Sequence, residues 1–354
     1  MVKRTDRLRQ WLAGIVAEPP PGLLLDGADP AGLELAAVAG DASFRRYWRL
    51  TSVCPTLIVM DAPPELEPSA HFVQIAEGLR ALNLPVPRVF AADLKQGFLL
   101  LEDFGDCLYG DRLLASVSEE VDAMYREAID LLVQLQRHEQ VPGCVLPRFD
   151  AALYAGEYRL FTDWFLRDTL ELALSSDERA LVAEAGLRLE EVALGQPARP
   201  VHRDYHSRNL LWRGAGVAPG IIDFQDAVIG PVTYDLVSLL KDCYLHWPAA
   251  RVAAGVEHYW HEARAAGIPL GDDPAAFRVD FERMGMQRHI KAIGIFARLA
   301  LRDGKPNYLK DVSRILLHLH EARPQDPVLE GLQRWLQGRV APVVEGDLRF
   351  FAPC

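Results

Sequence analysis

The sequence has no run of apolar residues approaching the roughly 20 needed to cross a bilayer. Its opening stretch, MVKRTDRLRQWLAGIVAE, starts basic but lacks the apolar centre of a signal peptide. The expectation is a soluble, cytoplasmic chain with no membrane partner. The cysteines (Cys54, Cys107, Cys144, Cys243 and Cys354) are odd in number, scattered and without a C-x-x-C pair. That argues against a disulfide frame or a cysteine zinc site and for reduced thiols. Positive charge is short as well. A net charge of −11 argues against an extended nucleic-acid surface, which calls for a basic patch or stripe. Screening within about 8–10 Å still leaves room for a local basic cleft in an acidic exterior. Lysine is scarce in the first half: before residue 200 only Lys3 and Lys95 occur. Internal repeats and low-complexity segments are also missing.

What is present is concentrated between Val201 and Asp226, VHRDYHSRNLLWRGAGVAPGIIDFQD. Asp204 stands five residues before Asn209, and Asp223 follows the apolar Gly220-Ile221-Ile222. This is the order found in kinase-fold phosphotransferases, H-R-D-x-x-x-x-N and then a strand ending in D-F-x. The chemistry explains the residue types. One carboxylate orients the attacking hydroxyl and accepts its proton. An amide oxygen and a second carboxylate hold magnesium, a hard cation that takes oxygen ligands and keeps part of its water. Asp204 is the expected base, Asn209 and Asp223 are the expected metal ligands, and ATP and Mg2+ are the expected cofactors. An H-R-D triplet alone would also suit an ordinary surface loop; the ordered set between apolar flanks argues against that.

At 354 residues, 50% hydrophobic and 25% charged, the chain exceeds the usual single core. Two domains are expected, 1–104 with a hinge at its end and 105–354. In the first, Arg4–Val16 has Leu8, Trp11, Leu12 and Ile15 at helical spacing and is stopped by Pro19-Pro20-Pro21-Gly22. Strands are expected at Leu33–Ala39, Phe44–Leu50, Thr56–Ala62 and Phe98–Leu101. The turn Gly40-Asp41-Ala42-Ser43 has the shape that lays N–H groups over phosphates, and equally the composition of a plain hairpin turn. The third strand lacks the phosphate-gripping lysine and ends in Asp61. Arg45 and Arg46 are the candidate substitutes; alternation sends them to opposite faces, so either one reaches phosphate while the other points away, or both are solvent-facing strand arginines. The helix Ser69–Leu82 carries an apolar stripe of Phe72, Ile75, Ala76 and Leu79. Its Glu77 either pairs with a phosphate-binding cation or faces solvent. Adenine is placed at Glu102-Asp103-Phe104 by order along the chain.

The second domain is expected to be mainly helical. A capping box of Ser116 and Glu119 opens a helix to about His138, and Ser175 with Glu178 opens another to Leu194. The helix Ala151–Leu174 is aromatic (Tyr154, Tyr158, Phe161, Trp164, Phe165), serving either as core or as a wall against sugar C–H faces. Asp235 lies near the start of a helix ending about Leu240, where it suits the helix dipole and the anchoring of the catalytic loop. Further helices are expected at Arg251–Ala266, Ala275–Leu301 and Asn307–Ala322.

GDASFRRYWRL, LLLEDFGD, HRDYHSRNLLW and DFQDAVIGPVTYDLVSLLKDCY together resemble the aminoglycoside phosphotransferase and choline kinase-like superfamily. Within it they look most like the anomeric amino-sugar kinases of bacterial cell-wall recycling, over nearly the whole chain. The resemblance implies an α+β, two-lobed protein-kinase-like fold, with a small antiparallel-sheet lobe and a mainly helical one. It implies transfer of the γ-phosphoryl of ATP to the C1 hydroxyl of N-acetylmuramate and N-acetylglucosamine. Carried over by position, Asp204 is the base and Asn209 and Asp223 hold magnesium. Gly40, Asp41, Ala42, Ser43, Phe44 and Arg45 cover the phosphates, with Arg46 as the other candidate arginine, and Glu102, Asp103 and Phe104 contact adenine. His206, Arg208, Asp226 and Tyr234 are nominated as sugar neighbours of the base, and Arg208 as the cation facing the lactyl carboxylate of N-acetylmuramate. The missing third-strand lysine departs from the superfamily pattern. Two alternatives remain. One is a kinase for an aminoglycoside, choline or homoserine, with Glu157, Asp163 and Asp226 forming an acidic pocket. The other is a nucleotide-binding pseudokinase, which would have no need of Asp204.

Overall fold

The structure is a computed structural model and describes residues 3–25, 29–38 and 44–351. The chain divides into two compact units. The first comprises Met1–Cys107, Val141–Cys144 and Leu211–Gln225; the second comprises Leu108–Gln140, Val145–Leu210 and Asp226–Cys354.

The first unit is built on an antiparallel sheet of β1 (Leu35–Val38), β2 (Arg46–Leu50), β3 (Leu57–Asp61), β4 (Val89–Asp93) and β5 (Phe98–Glu102), in the order β1-β2-β3-β5-β4. The two continuous apolar runs, Leu57-Ile58-Val59-Met60 and Phe98-Leu99-Leu100-Leu101, pair with each other inside the sheet, as burial on both faces requires. A preceding helix, α1 (Arg4–Ala17), presents Leu8, Leu12 and Val16 at four-residue spacing to Leu57, Val59, Phe98 and Leu100. Each such side chain removed from water stabilises by roughly 1.5–3 kcal/mol. Arg4 Nε donates to Asp61 Oδ1 at 2.7 Å, so the acid ending the lysine-free third strand has its own cation. After β3, α2 (Ala70–Ala81) buries the expected Phe72, Ile75, Ala76 and Leu79 and contacts β4. The turn at Gly40, Asp41, Ala42 and Ser43 lies outside the described residues.

The second unit is helical. It contains α3 (Tyr109–Ala115), α4 (Ser118–Gln136), α5 (Ala151–Arg159), α6 (Ser176–Gly195), α7 (Tyr234–Leu240), α8 (Ala249–Ala265), α9 (Pro274–Arg302), α10 (Val312–Glu321), α11 (Pro327–Trp335) and α12 (Ala341–Glu345). A strand at Ala198–Val201 pairs antiparallel with Val228–Pro231. The long α9 is the centre: it touches α5, α6, α7, α8 and α10, and from Met284 to Gly294 every residue is buried.

The expected helix Ala151–Leu174 is instead α5 followed by π-helical turns over Leu160–Thr169. The change begins where Gly294 of α9 packs against the chain. A Cβ on Gly294 would stand 2.3 Å from Leu160 C and 2.5 Å from Phe161 N, so only glycine allows the approach. The aromatic stripe is core: Tyr154 and Tyr158 donate to Gly186 O and Val182 O of α6 at 2.6 and 2.7 Å, and Phe161 and Phe165 are fully buried. The capping box of Ser175 and Glu178 is present. The one expected at Ser116 and Glu119 is not. Ser116 terminates α3 in an extended conformation, so α4 starts at Ser118 with Val117 as its N-cap.

Candidate active site

In the second unit the segment from His202 to Asn209 is a loop held by buried carboxylates. Asp235, in the first turn of α7, accepts His202 N at 2.6 Å and Arg203 N at 3.0 Å. Asp242, just past α7, accepts Ser207 N and Tyr244 N at 2.9 and 2.8 Å. Both acids are fully buried. Burial lifts Asp235 to a pKa of about 6, against the pull of His202 and the two backbone donors. Arg203 has φ +76°, a conformation uncommon for a long side chain and one that costs energy. The two backbone bonds to Asp235, from its own N–H and from that of His202, hold it there. Tyr205 is buried beneath, its hydroxyl on Ala128 O at 2.9 Å.

Asp204 lies in the middle of this loop with its side chain 40% exposed. Its N–H donates to His202 Nδ1 at 3.3 Å, and Asn209 Nδ2 donates to its carbonyl at 3.0 Å. Burial pushes its carboxyl up, but Lys291, Arg288, His206 and Arg203 outweigh burial and hold it well below the usual carboxylate range. Arg288 Nη2 stands 3.6 Å from Asp204 Oδ1. Glu157 on α5 is buried and takes Arg203 Nη2 at 2.6 Å, Gln287 Nε2 at 3.0 Å and Lys291 Nζ at 3.1 Å. Lys291 also donates to Tyr234 Oη at 2.7 Å. Three cations therefore surround the two carboxylates, Asp204 and Glu157.

The nominated sugar neighbours have separate fates. His206 packs edge-on against Tyr244 at 5.3 Å, and its buried Nδ1 has no hydrogen-bond partner among the described residues. Burial lowers its pKa, against the attraction of Asp242 and Asp204. Arg208 is exposed, its guanidinium 3.5 Å from the centre of the Tyr244 ring. Asp226 is exposed too. Tyr234 has no solvent exposure and its hydroxyl serves Lys291, so it acts from beneath the loop and lines no open surface. Residue-by-residue motif reading missed Gln287, Arg288 and Lys291. Their signal was polar and charged residues interrupting the apolar core of a long helix.

In the first unit, Phe224 is buried 4.8 Å from the Phe72 ring, while Asp223 beside it is exposed at φ +64°. Asp tolerates this left-handed conformation better than most residues. Gln225 Nε2 donates to Asp223 Oδ1 at 2.7 Å. Arg45 pairs with Glu67 at 2.9 Å, whereas Glu77 is exposed. Burial pushes the Tyr47 phenol up to about 12, Arg45 lowers it, and Asp223 and Glu67 raise it further, so these four groups share one neighbourhood. Arg46 and Phe44 are exposed. Of the two candidate arginines, Arg45 is the one that, like Asp223, acts on the Tyr47 phenol. Asp103 is locked, its carboxylate taking Arg49 Nε at 2.7 Å, Thr56 Oγ1 at 2.8 Å and Gly105 N at 2.8 Å. Glu102 N–H is taken by Arg88 O at 2.9 Å, and Phe104 lies under Arg213 at 4.5 Å.

Among the described residues no helix is long and apolar enough to cross a membrane. Residues 34–270 match the phosphotransferase enzyme family. The chain is 42% identical over 306 residues to the N-acetylmuramate/N-acetylglucosamine kinase of Pseudomonas putida, covering 86% of this chain and 88% of that one. It is 38% identical over 321 residues to the kinase of the same name from Neisseria meningitidis serogroup B, covering 90% of each. Its fold is similar to that of choline kinase from Cryptosporidium parvum, with a TM-score of 0.63 at 12% identity over 93% of this chain and 99% of that one. At that identity the likeness is one of protein-kinase-like fold.

Proposed function

We propose, from the premise that this chain belongs to the phosphotransferase enzyme family and is an ATP-dependent kinase acting on a hydroxyl, that the hydroxyl is the anomeric one, C1, of N-acetylmuramate and N-acetylglucosamine. The observation that carries this is the charge around Asp204. A cationic acceptor such as choline or an aminoglycoside calls for uncompensated acid. Glu157 is already neutralised by Arg203 and Lys291, and Asp163 pairs with Arg167 at 3.3 Å. Arg288 adds a further positive charge. A neutral or acidic sugar suits such surroundings. The name shared by the relatives from Pseudomonas putida and Neisseria meningitidis points the same way.

In this reading Asp204 aims the sugar hydroxyl and takes its proton. Held far below the usual carboxylate range, it is a weak base. In a loose transition state positioning matters more than early proton removal, and an anomeric hydroxyl is more acidic than an ordinary alcohol. The oxygens of Asn209 and Asp223 are the hard donors that magnesium takes. The metal, when bound, neutralises charge on the nucleotide phosphates. Arg45 is the proposed phosphate cation, the turn from Gly40 to Phe44 the proposed phosphate cover, and Glu102 to Phe104 the proposed adenine contact. Asp235 and Asp242 are positioning residues. Such a reaction belongs in the cytoplasm, where ATP meets amino sugars recovered from the cell wall.

The test is ADP release by the purified protein with N-acetylmuramate, N-acetylglucosamine, homoserine, choline and an aminoglycoside, with and without magnesium. Phosphorus NMR of the product should show coupling to the anomeric proton. Faster turnover of choline, homoserine or the aminoglycoside than of either amino sugar overturns the proposal.

A further inference from the structure

Of the three cations around Asp204, two have a carboxylate within hydrogen-bond reach. Arg203 and Lys291 reach Glu157, and Lys291 also reaches Tyr234, although Arg203 Nε has no partner among the described residues. Arg288 has no carboxylate that close. It is 4% exposed, yet its Nε has no hydrogen-bond partner among the described residues, and Nη1 reaches only the Cys243 sulfur at 3.5 Å. Nη2 is 3.6 Å from Asp204 Oδ1, an attraction beyond hydrogen-bond length. A guanidinium has five N–H groups in a planar fork and does not lose its proton, so burial without oxygen acceptors is costly. Two neighbours share the deficit. Gln287 donates its amide nitrogen to Glu157 while its buried Oε1 has no partner, and His206 Nδ1 has none either. The missing partners are an anionic oxygen pair for Arg288, a hydroxyl or amide N–H donor for the Gln287 oxygen, and for His206 Nδ1 a hydroxyl, which donates or accepts as the tautomer requires. A sugar acid with an acetamido group carries all of these.

We infer that Arg288 is the carboxylate-recognition residue of the acceptor site, taking the lactyl carboxylate of N-acetylmuramate. This deepens the proposed amino-sugar specificity and rests on it. An acceptor whose hydroxyl meets Asp204 is brought next to Arg288, and the planar fork matches a carboxylate in two places at once. The exposed Arg208, stacked on Tyr244, faces water that would screen such a contact. N-acetylglucosamine lacks the carboxylate and leaves Arg288 to its weaker attraction to Asp204. The acid sugar is therefore the favoured acceptor.

The experiment measures kcat and KM of the full chain on N-acetylmuramate, its methyl ester and N-acetylglucosamine, for the wild type, Arg288→Gln and Arg288→Lys. On the wild type, masking the carboxylate raises KM on the order of 10- to 100-fold, the size of one charged hydrogen bond. Arg288→Gln lowers kcat/KM for the acid sugar by that factor more than for N-acetylglucosamine and removes the difference between acid and ester. Arg288→Lys keeps part of it. If Arg288→Gln does not fold, the acid–ester comparison on the wild type decides alone. Equal KM for acid and ester overturns the inference, as does an equal loss on both sugars, which would place Arg288 on the transferred phosphoryl group. Phosphorylation of neither sugar by the wild type defeats the amino-sugar assignment itself, and the inference with it.

Discussion

The Asp235 carboxylate accepts the backbone N–H of His202 at 2.6 Å, joining α7 to a loop residue 33 positions earlier in the chain. Asp235→Asn leaves one carbonyl oxygen for two donors and turns an amide N–H toward the other. The expected loss is about 1–3 kcal/mol of stability, read by urea unfolding, with kcat falling as the loop loosens. The pH dependence has a definite sign. The Asp235 pKa is raised from 3.8 to about 6, so the folded state binds this proton more tightly than the unfolded chain. Its contribution is full in acid and is lost as pH rises through about 6. The stability of the wild type relative to Asp235→Asn should therefore decline between pH 4 and 6 and level off above; a flat difference would show that Asp235 is not titrating there.

Asp204 has the opposite sign. Its carboxyl is held below the ordinary 3.8, so its charged form is present above that value and lost only as pH falls through the depressed one. The wild-type kcat/KM profile should have no acid limb from Asp204 down to about pH 5. Lys291→Met removes the strongest attraction on it, and the limb moves up into the measurable range. Asp204→Asn lowers kcat by roughly 10^2–10^4 while nucleotide affinity is kept. Near-wild-type turnover in that variant would remove Asp204 from the role of base.

Glu157 is 4% exposed and compensates Arg203 and Lys291 together. Glu157→Gln keeps the shape and deletes the charge. Breaking a buried pair in this way costs about 3–5 kcal/mol. Chemical unfolding should show the drop in midpoint with an unchanged m-value; a cost under 1 kcal/mol would mean that the two cations find other partners.

Chelation of divalent ions should abolish turnover, and magnesium should restore it. If the proposed ligand set holds, Asp223→Ala and Asn209→Ala each raise the magnesium concentration for half-activity by about tenfold or more, since each removes one of the few protein oxygens proposed for the ion. A magnesium titration with unchanged midpoints would send the metal ligands elsewhere.

Gly294→Ala drives a methyl group into the backbone of Leu160 and Phe161. Overpacking of this kind costs about 1–3 kcal/mol, visible as a lowered melting temperature. A neutral result would mean that the π-helical turns of Leu160–Thr169 give way easily.

The family was legible in the order Asp204, Asn209, Asp223, because the fold that carries this chemistry keeps those residue types in that order along the chain. The apolar runs of β3 and β5 and the stripe of α2 were legible from periodicity. Asp235 could be read as a loop anchor because a carboxylate at a helix start has few other uses. Arg288 and Lys291 could not. They lie some 84 and 87 residues past Asp204, and only the packing of α9 brings them to it. Ser116 failed as a cap because nothing local tells whether a serine closes one helix or opens the next. That Leu211–Gln225 joins the first unit depends on contacts such as Ile221 N to Pro85 O at 2.8 Å, which no local pattern announces.

The family match ends at residue 270, and α9 begins at Pro274. A fragment cut at that boundary would keep every letter of HRDYHSRN and DFQD and lose Lys291 and Arg288, two of the cations beside its aspartate. Its Asp204 would titrate more like a free amino acid's, and Glu157 would be left with Arg203 alone. The length of polypeptide that spells the signature is shorter than the length that makes it work.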